Sequence, residues 1–510
     1  MQVLIRRNGT LIDLSPDGQS PLPEELHHLL LSHMKYDHVK LLRGQDSYDP
    51  ETGEHENVKI TPTNLYRWDQ HGKLVTGYGY IPKVMRVLQA AGHSVNYIDV
   101  SPARPRPDCY VPDWDNVHQH FEFRARQEEC LQAINNAWGG VINATMGFGK
   151  TELFRALCHL YPLARIAIVV KPKDVAARIV RQLTQDFPGV GQVGGGQNYQ
   201  GERITVFTGG STKHSDGDYD FLFCDEVHQL MSKKMSEDLG SAFRQTRNYG
   251  FTGTPECRLD KAHAKLEMFF GPQIFYMPYP EAVELGLVVP INVRWIKMPF
   301  PTDPAAGKAG TPRDRWGIWR HDVRHAAFAA DIRENYNNNE QILMAVATVD
   351  HAIYLWRHLP DFTLCYSNAE EKNFQRYKST GMIPHSFEPM TQSRRDSLRN
   401  AFEQGTLRRV IATDIWSTGV DFRELQVLYR CDARESEILD SQWPGRVSRL
   451  YDDKACGEVV DALDLWNKTY ERKSRTRRRH YRAHGWSETG WPISRRARSA
   501  KNKATPLFDQ

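Results

Sequence analysis

Residues 141–160 read VINATMGFGKTELFRALCHL. A short β-branched apolar run leads into a glycine-rich turn, a Lys-Thr pair and a stretch of helical periodicity. This order constrains the fold more than any other feature of the chain. A buried strand that runs through a tight loop into a helix must be received by a parallel neighbour, which demands a layered α/β architecture. Gly147 and Gly149 let backbone N–H groups approach an anion, and the helix N-terminus that follows adds positive potential. Ala144, Thr145, Met146, Gly147, Phe148, Gly149, Lys150 and Thr151 are therefore the candidate phosphate loop. In such a loop Lys150 reaches the β/γ-phosphates and the Thr151 hydroxyl ligates Mg²⁺. Ala144 stands where the general pattern has its first glycine.

The rhythm around this loop is repeated. From about 113 to 289, GGVINA, RIAIVV, RITVFT, YDFLFCDE and RNYGFTG alternate with helical patterns such as KDVAARIVRQL. Continuous apolar strands separated by helices predict a parallel sheet covered on both faces. The pattern restarts at about 290 with INVRWIKM, then QILMAVA, FTLCYS, RRVIATD, LQVLYRC and EVVDAL. Residues 1–112 mix strand-like runs with two helical patterns, and the proline-rich stretch SPARPRPDCYVPDWD reads as a linker. The expected order is a small N-terminal α+β domain (1–112), a first α/β lobe (113–289), a second (290–468) and a basic helical tail (469–510). The stretch GQVGGGQN at 191–198 is expected to be a flexible turn.

FLFCDEVH, residues 221–228, places Asp225 and Glu226 at the carboxyl end of a buried strand, where open α/β sheets hold their ligands. Asp225 suits Mg²⁺, and Glu226 suits a base that orients a water. His228 is a candidate for coupling one lobe to the other. At residues 442–449, QWPGRVSR carries two arginines three apart. Gly445 is expected to start a helix with Arg446 and Arg449 on one face and no acidic residue beside them. Arginines so placed await an anion from elsewhere.

The ordered set FEFRARQ, ATMGFGKT, DEVH, FTGTP, ATDIWSTGVDF and QWPGRVSR resembles the superfamily 2 helicases over residues 115–465. The resemblance implies two RecA-like lobes, ATP and Mg²⁺ as cofactors, and a nucleic-acid strand as partner. It implies an adenine-reading role for Gln127, and a link between hydrolysis and movement for Thr252 and Thr254. By the same likeness Thr418 touches the strand and Gly419 and Asp421 touch the nucleotide, while Gln442, Arg446 and Arg449 form the arginine-finger motif. It implies phosphodiester contact at the strand ends VVKPKD and VFTGGS, from Lys171, Thr208, Gly209 and Gly210. DEVH, FTGTP and QWPGR depart from the DEAD-box branch and resemble the DNA-directed group containing XPB, type III restriction subunits and the phage helicase UvsW. The N-terminal stretch LYRWDQHGKLVTGYGYIPKVM is similar to the small domain of that last type, so DNA binding is expected there, with a protein-docking module as the alternative.

Charge points the same way. Residues 468–503 hold 13 Lys/Arg against 2 Asp/Glu, which leaves the remainder of this +4 chain acidic. Such asymmetry suggests a polyanion partner. Arg478, Arg479 and Tyr481 are candidates for phosphate contact and base stacking; the competing expectation is a helix whose aromatics pack on the second lobe. Eight cysteines without a CxxC or a Cys/His pair disfavour a disulfide framework or a structural zinc site, and no apolar run suits a membrane span. The expected setting is bacterial cytoplasm or a phage-infected cell, and the expected state a monomer. These features suggest a helicase or translocase acting on branched DNA. The alternatives are a nucleic-acid-stimulated ATPase subunit that does not unwind, and an RNA-remodelling enzyme.

Overall fold

The computed structural model describes residues 1–41, 58–101, 107–253, 261, 264–298, 302–337, 339–367, 371–416, 420–452 and 454–492. The chain divides into two compact units, Met1–Val288 and Val289–Gln510.

The first unit opens with a five-stranded sheet in the order Tyr66–Trp68, Leu74–Gly77, Leu11–Ser15, Gln2–Asn8, Ser94–Asp99. Alternation decides its faces. Val3, Ile5, Ile12 and Leu14 point inward and are essentially unexposed, while Arg6 pairs with Asp13 at 2.9 Å on the other side. Helix Ile81–Ala90, with a proline in its first turn, covers the inner face through Val84 and Leu88. This domain seats on helix Lys265–Phe270: a side chain at Gly77 or Gly79 would run into the backbone carbonyls of Met268 and Glu267. Arg7 is buried beside this seam, its guanidinium 4.2 Å from the Trp138 ring.

The eight-stranded sheet of this unit runs Gln197–Tyr199, Gly191–Gly194, Ile204–Thr208, Ile166–Val170, Phe221–Cys224, Arg247–Thr252, Gly140–Ala144, Gln273–Met277. All neighbours are parallel except the first pair. Every residue of Ile166–Val170 and Phe221–Cys224 is buried, as both-face coverage requires. Three differences from the sequence reading follow from packing. GQVGGGQN is an edge hairpin whose Gly194, at φ 104°, lies against the Thr208 and Ser211 hydroxyls. Gln273–Met277 adds an edge strand beside the phosphate-loop strand. The end of the proline-rich stretch packs on the lobe, with Cys109 buried and Tyr110 5.3 Å from Phe221.

The second unit holds a seven-stranded, wholly parallel sheet in the order Thr363–Cys365, Arg409–Ala412, Ile342–Ala345, Val427–Arg430, Gly457–Leu463, Ile291–Lys297, Ser487–Thr489. The basic segment begins as a helix, as expected, and that helix is packed on the second unit. Helix Lys468–Ala483, capped by the Asn467 side chain, buries Tyr470, Ser474, Arg477 and Tyr481, and the chain then adds the last strand. Arg477 grips Asp461 with two hydrogen bonds of 2.8 and 2.9 Å, both side chains fully buried. Beside it, Arg430 contacts Asp432 at 3.1 Å and Asp440 at 3.0 Å. Burial alone would raise the Asp432 carboxyl; Arg430 and Arg434 overcome that and hold it below the usual range. Among the described residues no helix is long and apolar enough to cross a membrane.

Removing one partner of a buried ion pair strands the other charge. Arg477→Met is expected to destabilise the protein by about 3–5 kcal/mol, read by urea unfolding. A loss under about 1 kcal/mol would show that Asp461 does not depend on this guanidinium.

Candidate nucleotide site and its surroundings

The phosphate loop is shaped by two glycines in the left-handed region, Gly147 at φ 90° and Gly149 at φ 92°. Gly149 caps helix Lys150–Leu160, so Lys150 begins the helix directly above the end of strand Gly140–Ala144. Lys150 Nζ lies 3.3 Å from the Ala144 carbonyl oxygen and 3.4 Å from Glu226 Oε1. Phe148 is fully buried and stacks on Phe275, which pins the turn from below.

Two side chains upstream hold the loop backbone. Gln127 Nε2 donates to the Phe148 carbonyl at 2.7 Å, and its Oε1 accepts from the Arg124 N–H at 3.0 Å. Arg124 Nη2 donates to the Gly147 carbonyl at 2.6 Å. Gly149 must stay small beneath them: a Cβ there would stand 2.7 Å from Gln127 Nε2 and 3.0 Å from Arg124 Nη2. Sequence reasoning singled out Gln127 and missed Arg124. The signal was its place three residues before that glutamine, in a segment that turns back on the loop.

Strand Phe221–Cys224 delivers the acids. Asp225 continues the sheet, its N–H bonded to the Val169 carbonyl at 2.9 Å, and its Oδ1 accepts from the Glu226 N–H at 3.0 Å. Glu226 sits at φ 44°, ψ 49°, a left-handed conformation unusual for a non-glycine residue. That turn throws its carboxylate between two partners, Lys150 at 3.4 Å and His228 Nδ1 at 3.6 Å. His228 is fully buried and shares a 2.8 Å hydrogen bond with Thr252 Oγ1. Lys150, Glu226, His228 and Thr252 thus form one polar chain across three strand ends. Asp225 keeps some exposure yet lies deep among protein atoms; burial and the neighbouring Glu226 push its pKa up to about 6, against the pull of Lys150. Thr151 and Asp225 are of the chemistry that holds Mg²⁺, hard oxygen donors flanking the loop.

The neighbouring strand ends are less open than expected. The Gly209 N–H is already bonded to the Val170 carbonyl at 2.9 Å, so it is not offered to a phosphate. Thr208 is buried and bonded to Ser211 at 2.8 Å. Lys171 and Gly210 are exposed.

In the second unit, QWPGRVSR does not begin a helix. Helix Glu437–Gln442 ends there with Gln442 buried, and Pro444–Arg446 is a single 3₁₀ turn, because Pro444 suits only the start of a helical turn and none follows. Arg446 and Arg449 therefore share no helix face. Arg446 is buried and donates to the Val420 carbonyl. Arg449 has an acidic neighbour after all: its Nε lies 3.1 Å from Asp421 Oδ1, and about a quarter of its side chain meets solvent. Thr254, Thr418 and Gly419 lie outside the described residues.

Tyr481 is not a stacking platform. It is 1% exposed, packs at 5.5 Å from Trp486 and donates to Asp461 at 2.8 Å. Arg478 bonds Glu488 at 2.8 Å and lies 4.4 Å from the Trp491 ring. With Arg475, Arg479 and Arg482 it still lines a basic recess on the outer face of its helix.

Residues 120–257 match the family described as type III restriction enzyme, res subunit, and residues 327–451 match the helicase conserved C-terminal domain. The chain belongs to the superfamily 2 helicases. Among solved structures, S. cerevisiae Dbp5 bound to RNA and ADP BeF3 is similar at 11% identity, with 75% of this chain and 93% of that one covered and a TM-score of 0.50. That likeness shows the fold of tandem RecA-like lobes. T4 UvsW is matched at 13% identity over 96% of this chain and 99% of its own, with a TM-score of 0.40. The type ISP restriction-modification enzyme LlaBIII bound to DNA is matched at 12% identity over 71% and 30%, with a TM-score of 0.49. No curated protein sequence matches the chain. Membership makes this a helicase-type ATPase motor with nucleotide as its fuel.

Ionised Asp225 costs the folded state stability; the cost is absent below the unfolded value of 3.8 and is complete once pH has risen past about 6. Asp225→Asn should therefore stabilise the nucleotide-free protein by about 1–2 kcal/mol at pH 8, with a smaller gain at pH 5. Unfolding in urea at the two pH values measures it; an equal effect at both would refute the burial of that charge.

Proposed function

We propose that the protein hydrolyses ATP to translocate on and remodel branched DNA such as forks, R-loops or Holliday junctions. The observation that carries the motor part is the polar chain from Lys150 through Glu226 and His228 to Thr252. In this reading Gln127 senses the adenine and, with Arg124, holds the loop that cradles the phosphates. Lys150 neutralises charge on the β/γ-phosphates. Bound through Thr151 and Asp225, Mg²⁺ would add positive charge at the same oxygens. The Glu226 carboxylate orients the attacking water and takes its proton. Because His228 touches both Glu226 and Thr252, a change at the base reaches the FTGTP segment directly, which suits the coupling role given to His228, Thr252, Thr254 and Gln442.

Arg449 is the better of the two finger candidates. Arg446 is buried and already bonded inside its own unit, whereas about a quarter of the Arg449 side chain meets solvent beside Asp421. The reading assigns Arg449 to the γ-phosphate during turnover, with Asp421 and Gly419 lining the nucleotide and Thr418 the strand. For DNA over RNA, the support is the DEVH, FTGTP and QWPGR variants and the restriction-subunit match over the first lobe. Lys171, Gly210, Arg478 and Arg479 remain the proposed backbone contacts, sequence-independent and salt-sensitive.

Strand separation on purified DNA forks, with matched RNA duplexes and linear DNA alongside, tests the whole reading. ATP-dependent unwinding of forked DNA is expected. ATPase without unwinding would instead make this a motor subunit, and stimulation by RNA alone an RNA-remodelling enzyme. Within the site, Lys150→Ala should abolish hydrolysis. Arg449→Ala should keep nucleotide affinity and lose turnover on the order of 10³-fold. Unchanged turnover would remove Arg449 from the finger role.

A further inference from the structure

Outside the nucleotide site, the second unit gathers histidines. Asp322 and His325 occupy the first turns of helix Asp322–Asn335, and His358 follows helix Val349–Trp356. One ligand atom from each of Asp322, His325 and His358 lies within 4.8 Å of the others. His358 Nε2 and Asp322 Oδ1 are 3.2 Å apart. Two ligands at about 2.0–2.1 Å from one tetrahedral ion are separated by about 3.3 Å, so that pair already spans the edge of a metal polyhedron.

The third member shows an unmet need. The His325 side chain is fully buried, and its Nε2 pairs with the Ile318 carbonyl at 3.2 Å. A carbonyl accepts only, so Nε2 carries the proton and Nδ1 carries the lone pair. Among the described residues Nδ1 has no hydrogen-bond partner. Metal-bound imidazoles commonly donate their other N–H to a backbone carbonyl, as this ring does. The nearby cations do not compete: Arg324 is bonded to Asp464 at 3.1 and 3.2 Å, and Arg333 donates to the His358 backbone carbonyl at 2.8 Å.

We propose that Asp322, His325 and His358 bind a divalent transition metal of the Zn²⁺ class. Two imidazoles and a carboxylate suit such an ion and not Mg²⁺, which takes oxygen ligands. His358 is a quarter exposed and Asp322 two-thirds exposed, so water can reach the ion. The ion clamps the start of one helix to the end of another on the flank of the second sheet. It is separate from the nucleotide's Mg²⁺ and needs no nucleotide.

Co²⁺ titration of the full-length, chelator-treated protein without nucleotide tests this. One Co²⁺ per chain is expected, with the strong visible bands of four-coordinate geometry, displaced by Zn²⁺. His358→Gln and Asp322→Asn, whose side chains are not buried and need not disturb folding, should each weaken binding on the order of 10–100-fold. Asp225→Asn, at the other carboxylate site, should leave the spectrum intact. Co²⁺ bound with only weak six-coordinate bands, or bound equally by the His358 and Asp322 variants, would overturn the site.

Discussion

One cation at the end of a sheet organises the first unit. Lys150 is held between the carbonyl that ends its own strand and the carboxylate that follows a strand two places away. Everything nearby either builds that position or balances its charge. The glycines bend the backbone so that the helix begins at Lys150. Gln127 and Arg124 hold the bend, and Glu226 takes a costly left-handed turn to face the lysine. Strain of this kind persists only where the surroundings over-determine it, and it collects at sites that do chemistry. The Glu226 turn sits between a fully buried strand and a buried histidine, which supplies that constraint.

The second unit solves a different problem. Its basic helix carries too many arginines to be buried at random, yet it is packed. Arg477 and Tyr481 turn inward onto Asp461, and Arg430 joins them through Tyr481 while pairing with Asp440. Every buried charge there has an opposite partner, the condition under which burial is tolerated. The outward arginines are left on one face. One helix thus serves as core on one side and as an arginine-rich surface on the other.

Much of the fold was legible in the chain. Long buried parallel strands are continuous apolar runs, so RIAIVV and FLFC announced themselves, as did QILMAVA and RRVIATD. The misses were elements whose identity depends on a neighbour. Ser487–Thr489 has no apolar pattern and becomes a strand only because Ile291–Lys297 offers it a free edge. The Gly194–Gly196 turn looks flexible in isolation and is ordered by its contact with Thr208 and Ser211.

The same division holds for the site. Short-range chemistry lies in the sequence: Gly147 and Gly149 permit the loop, Lys150 and Thr151 follow at fixed offsets, and Asp225 and Glu226 end a strand. Those properties depend on residues a few positions apart, so order alone specifies them. Tertiary structure decided which groups remain available. It occupied the Gly209 N–H with a sheet bond, buried Tyr481 in a charge network, and gave Arg449 the partner Asp421 from a distant loop. Hydrogen bonds and burial between segments far apart in the chain are set by packing, which residue order does not state.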